Sequence, residues 1–366
     1  MRLFRKTISA WKFACVIFVL SLSESGTLLH ASSWGERLAA IDLPVMAAPV
    51  VGFSPETNWE FGAGVAGFFH AGDLNRRSYA QMNGAYTLNH QWYISVASNL
   101  YLPDGWFMQI RGGYRDYPDY WYGIGNGITE HLTAQSYNSR RAYLNLQPQY
   151  RLTDDWSIGL NVNVLWEKTQ PEINNNSTTF LWGLGAVAQY DSRDDIYYPH
   201  HGLFFKTIAT GYLKALGCSA TLGTLSVDLR QFLTIYKELL FAWQLKTDIT
   251  TGNDIPFQML STIGGQDLLR GVRRQMFRDD MSVALQGELR FPIWDMIRAT
   301  VFAGIGDVYN LRHWQWAIPK VSYGAGVRVM FNAANVNIRF DVARSNVNPS
   351  WKADGWSFYL TCIEAF

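Results

Sequence analysis

Cysteine is scarce in this chain: three in 366 residues. Cys15 lies in an N-terminal segment that reads as a secretory leader, which leaves Cys218 and Cys362. Two cysteines without motif spacing support neither a disulfide framework nor a zinc site. Charge is sparse as well. Lys, Arg, Asp and Glu make up 17% of the residues and nearly cancel to a formal net charge of +1, so no nucleic-acid partner is expected. Long apolar runs are missing after residue 30, and with them any helix of membrane-spanning length. A repeat of roughly 40–50 residues, the mark of a propeller, is absent too. What is plentiful is aromatic: 15 Trp, 19 Tyr and 21 Phe, or 15% of the chain. Many rings, many glycines and a mean hydropathy near zero suit membrane strands that are apolar on alternate residues only.

The N-terminus is consistent with export. Arg2, Arg5, Lys6 and Lys12 precede the short apolar core "FACVIFVL" (13–20), and small polar residues follow. That is the layout of a signal peptide over 1–31, cleaved somewhere in 25–31. An uncleaved anchor helix is the alternative. Residues 32–59 then form a short periplasmic lead-in, and the barrel is expected over 60–366.

Period-two alternation recurs from about residue 60 onward. In "SIGLNVNVLWE", Ile158, Leu160, Val162, Val164 and Trp166 are apolar, while Asn161, Asn163 and Glu167 lie on the other face. In "LNLQPQY", Leu144, Leu146 and Tyr150 alternate with Asn145, Gln147 and Gln149. In "SVALQGELRF", Val283, Leu285, Leu289 and Phe291 oppose Gln286, Glu288 and Arg290; in "VNIRFDVA", Val336, Ile338, Phe340 and Val342 oppose Asn337, Arg339 and Asp341. A tilted strand needs about 9–11 residues to cross a bilayer. The charged positions fall on the face that a barrel turns toward its wet interior.

Short turns at 88–91, 117–119, 152–155, 236–238, 291–296 and 332–335 alternate with longer polar links near 70–77, 131–138, 167–179, 212–221, 251–280, 310–319 and 345–356. Two connections break the pattern: "LPDG" (102–105) is short among the long ones, and "DSRDDIYYPHHG" (191–202) is long among the short ones. The fold class is therefore all-β, a transmembrane antiparallel barrel of about sixteen strands. Parity requires one of them near 120–130, so that both ends of the chain reach the periplasmic side. The most charged link is "GGQDLLRGVRRQMFRDD" (264–280), with Arg270, Arg273, Arg274, Arg278 and three aspartates. It falls outside, between the eleventh and twelfth strands.

These segments resemble the membrane barrel of BamA/TamA-type outer-membrane proteins, the superfamily that also holds two-partner secretion transporters. The resemblance is carried by "YRDYPDYWYGIGN" (114–126), "YDSRDDIYYPHHG" (190–202), "GGQDLLRGVRRQMFRD" (264–279), "QGELRFP" (286–292), "FAGIGDVY" (302–309), "YGAGVRVMF" (323–331) and the terminal "AF". It runs from about residue 49 to the C-terminus. It implies that the long sixth outer loop folds into the barrel and that an Arg-Gly-aromatic motif reaches inner-face residues of the following strands. The matching arginine is Arg270 and its glycine Gly271, with Val272 where the family has an aromatic. Glu288 matches the carboxylate of the next strand. In the family's aromatic-x-Asp motif Phe302 matches the aromatic, Gly304 stands at the Asp position, and Asp307 is the stand-in. An arginine in a narrow lumen needs a partner, and its planar fork suits a carboxylate. The simpler reading of Arg273, Arg274 and Arg278 is a surface loop touching lipopolysaccharide phosphates.

The resemblance also marks the last strand, "SFYLTCIEAF". Its Phe358, Leu360 and terminal Phe366 match the signal by which barrels are recognised for insertion, with Glu364 as a departure. The Gly-rich "FGAGVAGFF" (61–69), taken as the first strand, should pair weakly, as a seam that opens for client strands would. Periplasmic POTRA domains, which collect clients in family members that assemble or secrete proteins, have no room between leader and barrel. The implied function is assistance in inserting or translocating proteins at the Gram-negative outer membrane. Its partners would be outer-membrane lipid, lipopolysaccharide, unfolded barrel clients or a separate periplasmic protein. The alternative is a passive pore or structural barrel. No enzyme, cofactor or metal is expected. His70, His90, His131, His200, His201 and His313 fall mostly in turns without a nucleophile motif, and "HH" (200–201) lacks a third ligand nearby. "GIGNG" (123–127) lacks the lysine and helix of a phosphate loop, and Trp121 and Tyr122 beside it read as interface-girdle rings.

Overall fold

The structure, a computed structural model, describes residues 45–72, 78–127, 134–173, 176–195, 198–294, 296–330, 337–347 and 355–362. The leader over 1–31, most of the lead-in, Glu364 and Phe366 lie outside these residues. The strands are β1 (Val45–Ser54), β2 (Asn58–Phe69), β3 (Ser78–Thr87), β4 (Trp92–Tyr101), β5 (Trp106–Trp121) and β6 (Gln135–Arg151). Next come β7 (Trp156–Ile173), β8 (Asn176–Asp191), β9 (Gly202–Tyr212), β10 (Leu222–Tyr236), β11 (Leu239–Gly252), β12 (Ser261–Ile263) and β13 (Phe277–Asp279). The last are β14 (Met281–Trp294), β15 (Ile297–Tyr309), β16 (Lys320–Met330), β17 (Asn337–Ser345) and β18 (Trp356–Cys362). Sixteen of them close into one antiparallel barrel in chain order, β18 returning to β1, while β12 and β13 pair separately as a two-stranded sheet.

Alternation produces a wall that is apolar outside and polar inside. On β14, Leu285 and Leu289 are exposed while Gln286, Glu288 and Arg290 are buried. On β15, Val301 and Ile305 are exposed and Thr300 and Phe302 buried. This inverts a soluble core and is what a lipid-facing band requires.

The strand count of sixteen is correct, but two of the expected strands are not where the sequence placed them. The barrel begins with β1 at Val45, inside the stretch read as lead-in, and "FGAGVAGFF" belongs to the second strand, not the first. "VMAAPVVGFS" carries apolar residues on both faces and a central Pro49, so it shows no period-two signal. No separate strand lies at 120–127 among the described residues. Instead β5 continues through the expected turn at 117–119, with Pro118 opposite Asn138. Beyond Asp116, β5 has lost β4 as a partner, and a strand with one free side tolerates proline. These two changes cancel in the count. They also move "LPDG" to the barrel end that holds 152–155, among the other short turns.

Two long links differ in kind. The expected link at 167–179 is mostly strand, since β7 runs to Ile173 and β8 restarts at Asn176. The 192–201 link is long because it folds on itself. Asp194 Oδ1 accepts the His200 N–H at 2.9 Å, and Asp195 Oδ1 accepts the Tyr198 N–H at 2.7 Å. Tyr198 is buried with Phe232, Leu240 and Ala242.

Candidate functional site

The segment joining β11 to β14 has an apolar core of its own. Leu269, Val272, Met276 and Phe277 are buried together with Ile263, Ala284 of β14, Val308 of β15 and Tyr122. Val272, standing where the resembled family has an aromatic, is fully buried in this cluster. The apolar cluster sets the segment against the buried face of β14–β17 and so positions the side chain between them, Arg270.

Arg270 is 1% exposed. Its Nη2 lies 3.1 Å from Glu288 Oε2, its Nη1 donates to Asp341 Oδ2 at 2.6 Å, and its guanidinium carbon stands 3.5 Å over the Phe302 ring. Glu288 is shared: Arg290 approaches Oε1 at 3.2 Å, Arg328 approaches Oε2 at 3.3 Å, and the Thr300 hydroxyl donates to Oε2 at 3.3 Å. Asp341 also pairs with Arg328 and lies 3.4 Å from Arg339 Nε. Four buried arginines therefore surround two buried carboxylates, one on β14 and one on β17. A buried charge is tolerated only when paired and hydrogen-bonded, so Glu288 and Asp341 each hold several cations in place. Strand β16 makes room for this: a Cβ at Gly326 would collide with Asp341 and Arg328, and one at Gly324 with the Phe302 ring.

The second carboxylate is thus Asp341, not Asp307. Asp307 is buried and ion-paired with Lys320 at 2.5 Å. Gly304, at the family's Asp position, faces Leu269, whose Cδ2 would lie 2.7 Å from an added Cβ. A leucine of the segment fills the space in front of Gly304. Alternation had put Asp341, Arg290 and Arg339 on the inner face, but sequence reasoning did not link them to Arg270.

Residues next to Arg270 bind the segment to both ends of the barrel wall. Gly271, at φ +103°, donates its N–H to the Tyr359 hydroxyl of β18 at 2.9 Å, and its carbonyl accepts from Ser345 Oγ at 3.0 Å. The Arg274 N–H donates to Glu56 Oε1 in the β1–β2 turn at 3.0 Å. These contacts straddle the seam, where β1 and β18 meet in register at Phe53↔Leu360 alone among the described residues.

Residues 68–361 of this chain match the Omp85 superfamily domain. The chain belongs to the Omp85 superfamily. Among solved structures this Omp85 barrel is similar to BamA from Haemophilus ducreyi lacking POTRA domains 1–3, at 13% identity and a TM-score of 0.61, over 87% of this chain and 70% of that one. It is similar to CdiB from Acinetobacter baumannii (13% identity, TM-score 0.59, 88% of this chain and 60% of that one). CdiB from Escherichia coli gives 11% identity and a TM-score of 0.62, over 89% of this chain and 63% of that one. The chain thus spans less than two thirds of either CdiB chain. No curated protein matches it in sequence. The Omp85 barrel fold is typical of bacterial outer membranes.

The other singled-out residues of this Omp85 barrel fall as follows. Phe358 is exposed on the outer face of β18 and Leu360 is half-buried opposite Phe53. Arg273 and Arg278 are buried and Arg274 exposed. Arg278 lies 4.9 Å over Trp121 and 5.3 Å over Phe257, and Arg273 lies 5.1 Å over Tyr120. Trp121 and Tyr122 are therefore not girdle rings: they pack against the segment, Tyr122 inside its apolar cluster. His90 Nδ1 bonds the Tyr86 hydroxyl at 2.9 Å, and His200 Nδ1 lies 3.2 Å from Asp194. Cys218 is buried and free.

Proposed function

We propose that this chain resides in the bacterial outer membrane and assists the insertion or translocation of proteins there. Segment 264–280 would serve as an in-folded plug that also clasps the seam. The observation that carries the reading is the seam itself. On the far side of the wall the ladders are long, as from Trp106↔Tyr150 to Trp121↔Gln135 between β5 and β6. Where β1 meets β18, the register among the described residues is one position, Phe53↔Leu360, and contacts from Gly271 and Arg274 lie on either side of it. A strand edge with unpaired N–H and C=O groups is a template for a further strand, and an incoming client strand is such a partner. Unfolded barrel proteins are then the clients, with lipid and lipopolysaccharide as the surroundings. Arg270 holds the plug in register through Glu288 and Asp341.

The test is reconstitution of the purified protein in liposomes, followed by the folding rate of a denatured, unrelated outer-membrane barrel. Vesicles with an ordinary porin serve as control. Acceleration above the porin supports the proposal, and a rate equal to it favours a passive pore.

A further inference from the structure

We infer that the lumen holds a binding site for a small oxyanion, bearing phosphate or carboxylate, in the cavity between β4–β7 and segment 253–280. The cavity has a volume of about 460 Å³ and is lined by Arg115, Arg141, Arg274, Tyr93, Tyr143 and Gln258, among others. It lies apart from the Arg270 cluster and shares no residue with it.

The lining residues differ in whether their hydrogen-bonding groups are satisfied. Arg141 is neutralised by Glu167 at 2.5 Å, and Glu167 also accepts from Ser139 Oγ at 2.6 Å. The Tyr93 hydroxyl donates to Glu60 at 2.6 Å. These carboxylates are therefore already engaged, as are Asp119, 3.7 Å from Arg273, and Glu56, which accepts the Arg274 N–H. Arg115 makes no ion pair among the described residues. Its neighbour is the Tyr117 ring at 5.2 Å, and its Nε is buried without a hydrogen-bond partner. Gln258 accepts from Thr179 Oγ1 at 3.4 Å, but its Nε2 is likewise buried without a partner. The unsatisfied groups at this cavity are thus donors, one of them on a cation. A buried donor left unmade is costly, and a guanidinium fork is complementary to phosphate and carboxylate oxygens. An acceptor-rich anion satisfies both donors and offsets the excess positive charge. Five tyrosines line the wall, and the cavity volume leaves space for a small organic body attached to the anionic group.

Titration calorimetry with the full chain, in lipid-free neutral-detergent micelles and with inorganic pyrophosphate as probe, tests the inference. Saturable binding is expected for wild type. Arg115→Gln should weaken it at least tenfold and Arg274→Gln several-fold, while Arg140→Gln, on the exposed side, leaves it unchanged. Arg274 is exposed and keeps the test valid if Arg115→Gln fails to fold. A repeat in neutral-lipid nanodiscs with added phosphatidylglycerol separates the sources of the anion. An unchanged pyrophosphate affinity assigns the site to a free anion, and competition assigns it to a lipid headgroup. Absence of saturable binding to wild type, or equal loss in the Arg115, Arg274 and Arg140 variants, would overturn it.

Discussion

Over the described residues, strands β5 to β8 contain 16, 17, 18 and 16 residues, and β16, β17, β18 and β1 contain 11, 9, 7 and 10. The long side has backbone ladders that extend past the lipid-crossing length of about 9–11 residues. On its inner face it carries scattered polar pairs, such as Asn145 with Asn161 and Lys206 with Gln147. On the β16–β18 and β1 side the segment is held through a cluster of four arginines, Arg270 among them, and two carboxylates, and through the Gly271–Tyr359 bond. Side-chain contacts to a loop add to the backbone pairing on this side of the wall. An element held by a few specific contacts can be released as a unit, whereas a continuous ladder cannot.

The largest effects should come from the carboxylates. Glu288→Ala removes one of two anions from among four arginines, so the remaining buried cations lose a shared partner. A loss of about 3–5 kcal/mol is expected, read as a lower urea midpoint in micelles. Arg270→Ala takes away a surplus cation and should cost less than Glu288→Ala. The double variant should fall short of the sum by about 1–3 kcal/mol; strict additivity would contradict a coupled cluster.

Gly271→Ala comes next. Its φ of +103° is strained for an L-residue, and the new Cβ would sit 3.0 Å from the Arg344 backbone. A cost of about 1–3 kcal/mol is expected, with the seam strands β1 and β18 more open to proteolysis than β5 and β6. Tyr359→Phe removes one hydrogen bond to Gly271 and should cost about 1 kcal/mol. The smallest effect belongs to the long side. Arg140 pairs with Asp116 at 3.0 Å with its side chain 49% exposed, so Arg140→Ala should change the midpoint by less than about 0.5 kcal/mol. A loss there as large as that for Arg270→Ala would erase the contrast between the two sides.

Much of this contrast was legible in the sequence at the level of faces. Alternation placed Glu288, Arg290, Arg339 and Asp341 inside, because a period of two separates the faces of any strand. It could not join Asp341 to Arg270. Which inner residues meet a loop from another part of the chain depends on strand tilt and stagger, which close the barrel but leave no local trace. Strand β1 escaped notice for a different reason: "VMAAPVVGFS" has no polar face to alternate with. Pro118 misled in the opposite sense, since a proline within a strand reads as a break unless one side of the strand is free. Leu269 in front of Gly304 was likewise invisible, because a missing side chain reveals nothing of what fills its space.

The most direct test of the central claim is hydrogen exchange by mass spectrometry on wild type and Arg270→Ala in the same micelles. Exchange in the variant should rise in β1 and β16–β18 and in segment 264–280, while β5–β8 stay as protected as in wild type. A uniform rise around the barrel, or no rise in β1 and β16–β18, would contradict the claim that buried contacts to this segment hold that side of the wall.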